Sequence, residues 1–131
     1  PEVMGVLDRF AEAGVLCAIV SNFDGLLLEI LDRVGLRGRF AAVAYSGAVG
    51  AYKPDPRIFA AALEPLGVSA EHAVMVGDSP YSDIGGADAF GLRAVLVDRA
   101  GHCLEHPGEV VASLAELPPL LLGVGDRGGQ P

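Results

Sequence analysis

The chain has 131 residues, of which 51% are hydrophobic and 20% are charged, so it is long enough for one globular domain and too apolar for a disordered chain. The formal net charge is −8 and the nine lysines and arginines are scattered, which argues against a nucleic-acid surface. No apolar run approaches the roughly 20 residues that cross a bilayer, and no signal-peptide pattern is present. Cys17 and Cys103 lack metal-ligand spacing, which predicts free thiols in a cytoplasmic protein.

Helical and strand patterns alternate along the chain. Helices are predicted over Val3–Ala13, Leu26–Val34, Pro56–Leu66 and Ile84–Phe90, with a closing helix over Ser113–Leu122 that Pro118 and Pro119 interrupt. Short apolar runs predict strands at Leu16–Val20, Phe40–Tyr45, Ala73–Val76 and Arg93–Val97, and an edge strand at Val110–Val111. The alternation predicts an α/β fold with a parallel sheet over residues 1–122. The glycine-rich tail 123–131 is predicted to be disordered.

The most informative segment is the loop that follows the strand at Ala73–Val76. Gly77 and Asp78 end the apolar run, and Asp83 follows five positions after Asp78. A buried parallel strand places such a carboxylate at the carboxyl edge of the sheet, where open α/β folds bind ligands. Two carboxylates on one tight loop repel each other unless a cation or a lysine lies between them. We predict that both bind Mg²⁺; the alternative is that Asp78 caps the next helix and Asp83 favours its first turn.

Two further groups of polar residues follow predicted strands. Ser21 and Asn22 offer a hydroxyl, an amide and backbone N–H groups that suit phosphate or carboxylate oxygens; the alternative is a plain turn or helix cap. Pro54 forces Lys53 out of helical geometry, so its ammonium is aimed by a stiff backbone. It would then neutralise an anionic nucleophile or a transferred group; the alternative is a solvated surface lysine.

Taken together, these segments form an ordered set of three motifs: Val20-Ser21-Asn22, Lys53-Pro54-Asp55-Pro56, and Gly77-Asp78-Ser79 with Asp83. In this order and at these separations they resemble the haloacid dehalogenase superfamily of phosphatases, in its dehalogenase-like hydrolase branch. The resemblance covers the chain from about Pro1 to Val97.

The resemblance implies a Rossmann-like, doubly wound core and a Mg²⁺-dependent reaction of a small phosphorylated metabolite through an aspartyl-phosphate. By match, Ser21 with Asn22 would hold the phosphoryl oxygens, and Lys53 would orient and screen the nucleophile and the phosphate. Asp78 would bind Mg²⁺, with Asp83 supporting it through water or through Lys53. A covalent carboxylate route needs this charge neutralisation at one place.

One family motif has no match. The first motif, a strand that ends in Asp-x-Asp, supplies the nucleophile and the acid/base. The segment Asn22–Leu27 resembles its flank, but the amide of Asn22 cannot form an acyl phosphate. The resemblance therefore implies the C-terminal portion of a longer enzyme, whose nucleophile strand lies between the strands ending at Ser21 and Asp78. We expect that this chain alone is poorly stable, that these two strands pair directly, or that another segment fills the gap.

Three functions are consistent with the residues. The leading hypothesis is a phosphomonoesterase, active in the intact parent, of which this chain lacks the nucleophile. The second is a non-catalytic remnant that binds metal and anion. The third is a haloacid dehalogenase, which in this superfamily needs no metal and is disfavoured by the pair Asp78 and Asp83.

Overall fold

The computed structural model describes residues 2–101 and 106–122. Its helices are α1 (Glu2–Glu12), α2 (Leu26–Arg33), α3 (Ser46–Val49), α4 (Pro56–Leu63), α5 (Gly86–Phe90) and α6 (Leu117–Leu122). Its strands are β1 (Ala18–Ser21), β2 (Ala42–Tyr45), β3 (Val74–Gly77), β4 (Arg93–Val97) and β5 (Glu109–Val111). The predicted disordered tail 123–131 and Cys103 lie outside the described residues.

The strands form two parallel sheets. One sheet pairs β1 with β2, and the other has the order β3-β4-β5. Every pairing is parallel, with Ser21 opposite Tyr45 in the first sheet and Gly77 opposite Leu96 in the second. The predicted α/β class with parallel strands is therefore confirmed.

Helices cover both faces of the second sheet, as a doubly wound fold requires. Neighbouring residues of a strand point to opposite faces. On β4, Ala94 packs against the apolar cluster built around Ile58 and Phe59 of α4. Val95, the next residue, packs with Phe10 of α1 and with residues of β5 and α6. Because the two clusters lie on opposite faces of β4, the sheet is covered by α4 and α5 on one side and by α1 and α6 on the other.

The same α4 cluster joins the two sheets. Besides Ala94 and Met75 of the second sheet, it contains Ala44 of β2 and contacts Val20 of β1. Ile58 and Phe59 are 0% and 1% exposed. Burying side chains of this size contributes about 2–3 kcal/mol each to folding. The packing of α4 therefore holds the two sheets side by side, since no hydrogen bonds between described strands join one sheet to the other.

Within residues 2–101 and 106–122, β1 and β3 each pair on one edge only. Direct pairing of these two strands, one of the three expected outcomes, is not found, and no other described segment lies paired between them. Three residues of each strand are half-buried and the first is exposed. Poor stability of the chain by itself stays a prediction.

The largest differences from the predicted element boundaries lie at prolines, and β1, β2 and α5 each begin two residues later than predicted. The helix predicted to reach Leu66 is α-helical only to Leu63 and continues as a 3₁₀ turn at Glu64–Leu66, because Pro65 lacks the N–H that an α-helix needs. Pro118 and Pro119 were expected to interrupt the last helix. They occupy its first turn, where N–H groups have no intrahelical partner. The short helix α3 was not predicted.

The described part of the chain contains no helix long and apolar enough to span a membrane.

Hydrogen exchange will test the division of the sheet. The amides of β4, which pairs on both sides and holds Val95 and Leu96 at 0% exposure, should exchange at least about 100-fold more slowly than those of β1, because local opening of a singly paired strand costs less. The measurement is amide exchange followed by NMR on the 131-residue chain. Equal protection of β1 and β4 would contradict the divided sheet.

Candidate active site

A buried ion pair lies at the carboxyl edge of the two sheets. The Nζ atom of Lys53 is 2.5 Å from Oδ1 of Asp83, and the two side chains are 13% and 6% exposed. The other carboxylate oxygen, Oδ2, accepts hydrogen bonds from the backbone N–H groups of Asp78 and Ser79, each at 3.1 Å. Both oxygens of Asp83 therefore have protein donors, as an ionised carboxylate removed from water requires.

Glycine at position 77 makes room for this carboxylate. A Cβ atom built on Gly77 would lie 2.3 Å from Oδ2 and 2.5 Å from Cβ of Asp83. Asp83 belongs to a wide helical turn, Pro80–Gly85, that begins after Ser79. The turn folds back over the end of β3, and only a residue without a side chain lets the carboxylate reach the N–H groups there.

The side chain of Asn22 holds the backbone of Lys53. Its Oδ1 atom accepts the N–H of Lys53 at 2.7 Å, and its Nδ2 atom lies 3.5 Å from the carbonyl oxygen of Lys53. Asn22 follows β1, so these contacts tie the end of β1 to the loop before α4. The prediction that Asn22 binds phosphate remains a prediction. Its observed contact is with Lys53, which it positions.

The segment that follows Lys53 is fixed by the helix cap of Asp55 and by the packing of Pro54. Asp55 N-caps α4 by accepting the N–H of Arg57 at 2.9 Å, as expected from the sequence. Hydrogen bonds from the side chain and the backbone of Arg57 hold the pKa of Asp55 below its usual range. The cap is therefore present at neutral pH and is lost only as the pH falls through that lowered pKa.

Gly86 of α5 allows close approach, since a Cβ there would lie 2.9 Å from Pro54 Cα.

Two of the predicted site residues, Asp78 and Ser21, have side-chain oxygens that take no part in the contacts described above. Asp78 is exposed at the end of β3, and Ser21 is half-buried at the end of β1. Among the described residues, neither the carboxylate of Asp78 nor the hydroxyl of Ser21 has a hydrogen-bond partner within the protein. Ser21 precedes Asn22, and the N–H of Asp78 contacts Asp83. The side-chain oxygens of Ser21 and Asp78 are therefore available to a ligand next to the contacts that join Asn22, Lys53 and Asp83.

A metal at this edge would have few protein ligands. Within residues 2–101 and 106–122, no three side chains of His, Cys, Asp or Glu converge on one point. Mg²⁺ is commonly held by one or two carboxylates together with waters and substrate phosphate. The exposed Asp78 fits that donor set, and Asp83 is engaged with Lys53 instead.

Sequence reasoning named the residues of this edge, and it expected close backbone approach at Gly86, but it did not foresee the partners of Ser79 and Gly86. Ser79 donates its N–H to Asp83, and its hydroxyl accepts the N–H of Ser82 at 3.1 Å. Gly86 admits Pro54. The partners of Ser79 are local, whereas Pro54 lies about 30 positions before Gly86, so that contact emerges only on folding.

Comparisons with known proteins point to one family. The model of the haloacid dehalogenase-like hydrolase family matches residues 1–91. A phosphoserine phosphatase from Thermus thermophilus is 44% identical over 100 residues, which are 76% of this chain and 40% of that protein. An (S)-2-haloacid dehalogenase 4A from Burkholderia cepacia is 32% identical over 92% of this chain and 54% of its own length. The crystal structure of a HAD phosphatase from Thermococcus onnurineus superposes with a TM-score of 0.89 at 34% identity, covering 97% of this chain and 59% of that one.

This chain belongs to the haloacid dehalogenase-like hydrolase family, and the Rossmann-like core implied by the resemblance is confirmed. It spans between 40% and 54% of the length of these two curated relatives.

Replacing Gly77 should disrupt the site while a second glycine serves as control. In Gly77→Ala the new Cβ displaces Asp83, so the ion pair with Lys53 and two backbone hydrogen bonds are lost; we expect about 2–4 kcal/mol less free energy of unfolding. Gly5→Ala adds a Cβ in open space within α1 and should gain about 0.5–1 kcal/mol. Urea unfolding measures both. Equal stability of Gly77→Ala and the unaltered chain would contradict the geometry.

Proposed function

We propose that this chain forms the phosphate- and metal-binding part of a phosphomonoester hydrolase that acts on a small phosphorylated metabolite of the cytoplasm. The observation that supports it most directly is the buried Lys53–Asp83 pair, which fixes an ammonium at the sheet edge where Ser21 ends β1 and Asp78 follows β3. A phosphate has several charged oxygens, and a fixed cation with a hydroxyl donor beside it complements them.

Each residue has a distinct task in this proposal. Lys53 neutralises charge on the phosphate and on the group that attacks it, and it needs no reorganisation because Asp83 and Asn22 already fix it. Ser21 donates its hydroxyl to a phosphoryl oxygen. Asp78 binds Mg²⁺, which when bound supplies further charge neutralisation. Asp83 acts through Lys53 and is a positioning residue.

The attacking carboxylate is not among these residues. We propose that it belongs to sequence that precedes Pro1 in a longer protein, on a strand that fits between β1 and β3. Two observations support this: both strands are paired on one edge only within the described residues, and the chain covers 59% of a phosphatase structure that it otherwise matches closely. The reaction would then proceed through an aspartyl-phosphate on that strand.

Haloacid dehalogenation is the second candidate, and the 32% identity to a dehalogenase over 92% of the chain favours it. The two reactions differ in their need for a cation. The exposed carboxylate of Asp78 is useful for holding Mg²⁺ and has no evident use in a metal-free reaction. A non-catalytic module that binds metal and anion is the third, and it would show binding without turnover in every form of the protein.

Magnesium should stabilise the chain through Asp78. At a Mg²⁺ concentration about 100 times Kd, binding adds about 2.7 kcal/mol to the free energy of unfolding. Asp78→Asn should abolish this gain, because the amide is a poor ligand for the ion. Asp88→Asn, which removes an exposed carboxylate on α5, should keep it. Thermal unfolding with and without Mg²⁺ measures the difference, and an equal response of all three proteins would count against the metal site.

Hydrolysis of 4-nitrophenyl phosphate with Mg²⁺ should separate the functions. We expect no turnover by the 131-residue chain and turnover by a form extended with its upstream sequence, because only the latter would hold a nucleophile. Release of nitrophenolate gives the rate. Activity in the short chain would refute the missing nucleophile, whereas chloride release from 2-chloropropionate by the extended form would favour the dehalogenase.

A further inference from the structure

Three aromatic side chains are exposed, and each lies within two positions in the sequence of a residue of the site. The chain has five phenylalanines, three tyrosines and no tryptophan. Phe23, Tyr52 and Tyr81 are 39%, 67% and 76% exposed, whereas the other five aromatic residues are buried or half-buried. Exposed aromatic rings forgo a large hydrophobic gain, so their placement next to site residues in the sequence calls for an explanation.

Each of the three is a close sequence neighbour of a residue that forms the site. Phe23 follows Asn22, Tyr52 precedes Lys53, and Tyr81 lies two positions before Asp83. Asn22 is hydrogen-bonded to Lys53, and Lys53 is paired with Asp83. Since consecutive Cα atoms are only about 3.8 Å apart, the three rings arise from backbone that converges on one ammonium group. We call these three residues the aromatic rim.

The backbone at two of the rim residues, Phe23 and Tyr52, is held by specific hydrogen bonds. The carbonyl oxygen of Phe23 accepts the N–H of Gly47 at 2.9 Å and the hydroxyl of the buried Ser46 at 3.0 Å. The carbonyl oxygen of Tyr52 accepts the N–H of Asp55 at 2.7 Å. Rings on a fixed backbone lose little conformational entropy when they bind a ligand.

We propose that the aromatic rim binds the organic group of the substrate, and that the substrate class is a phosphate monoester of an aromatic or other planar ring alcohol. The inference rests on the proposed function, because it is the phosphate near Lys53 and Ser21 that brings the ester group to the rim. The rim residues carry no charge, so they suit an uncharged ring and add nothing to the binding of the phosphate itself. Flat rings stack against Phe and Tyr, whereas a short alkyl group offers them little contact.

The test is the affinity of the 131-residue chain for three probes, measured by calorimetry with saturating Mg²⁺: phenyl phosphate, ethyl phosphate and inorganic phosphate. We expect phenyl phosphate to bind at least about tenfold more tightly than ethyl phosphate. Phe23→Ala, Tyr52→Ala and Tyr81→Ala should each weaken phenyl phosphate about fivefold and leave inorganic phosphate unchanged.

Two controls separate stacking from other effects. Tyr52→Phe keeps the ring and should keep the affinity for phenyl phosphate. Leu120→Ala truncates an exposed apolar side chain on α6 and should alter none of the three affinities. Far-ultraviolet circular dichroism establishes that each variant is folded.

The outcomes distinguish this inference from the proposed function. Equal affinities for phenyl and ethyl phosphate, both weakened by Ser21→Ala, would overturn the rim and support the phosphate site. Binding of phenyl phosphate that depends on the rim but not on Ser21 would overturn the phosphate site and, with it, the assigned substrate class. No binding of any probe would overturn both, and would favour a protein segment as the group that covers these rings.

Discussion

The ion pair between Lys53 and Asp83 is the constraint on which the rest of the site depends. Lys53 lies in the loop between α3 and α4, on the side of the first sheet, and Asp83 lies after β3 of the second sheet. Neither charge is stable in a buried position without the other. Asn22 extends the connection to the end of β1, and the N–H groups of Asp78 and Ser79 extend it to the end of β3. One chain of polar contacts thereby spans the two sheets at their carboxyl edge.

This arrangement explains why a fold with a divided sheet still presents a coherent site. The apolar cluster around Ile58 and Phe59 holds the sheets together beneath, and the Lys53–Asp83 pair holds them at the edge. Neither contact requires hydrogen bonds between β1 and β3. The close superposition on a phosphatase structure of greater length is consistent with a framework that is set by these contacts, into which a further strand can be accommodated.

The roles proposed for the site residues follow from the solvent exposure of their side chains. Asp83 and Lys53 are buried and engaged with each other, so they set the position and the charge of the ammonium. Asp78 is exposed and Ser21 half-buried, and their oxygens are available to ligands. The residues of the aromatic rim are sequence neighbours of this polar centre, and we propose that they bind the apolar end of a ligand whose anionic end lies at Lys53.

Much of the fold was predictable from sequence because its signals are local. The apolar runs gave β4 without error, and Asp55 before Pro56 correctly predicted the start of α4, since capping depends on residues two or three positions apart. Boundaries failed where proline has two possible roles: Pro65 ended an α-helix, whereas Pro118 and Pro119 began one. The choice depends on the packing of Leu117 and its neighbours against α1.

The sequence alone identified the family, through the order and spacing of Ser21, Lys53 and Asp78, and it predicted that these residues carry the chemistry. Tertiary structure decided what each of them contacts. It turned Asp83 towards Lys53, and it placed Asn22 against the backbone of Lys53. These assignments depend on contacts between residues about 30 positions apart and on space left by Gly77, and such long-range geometry arises only when the strands, helices and loops pack together.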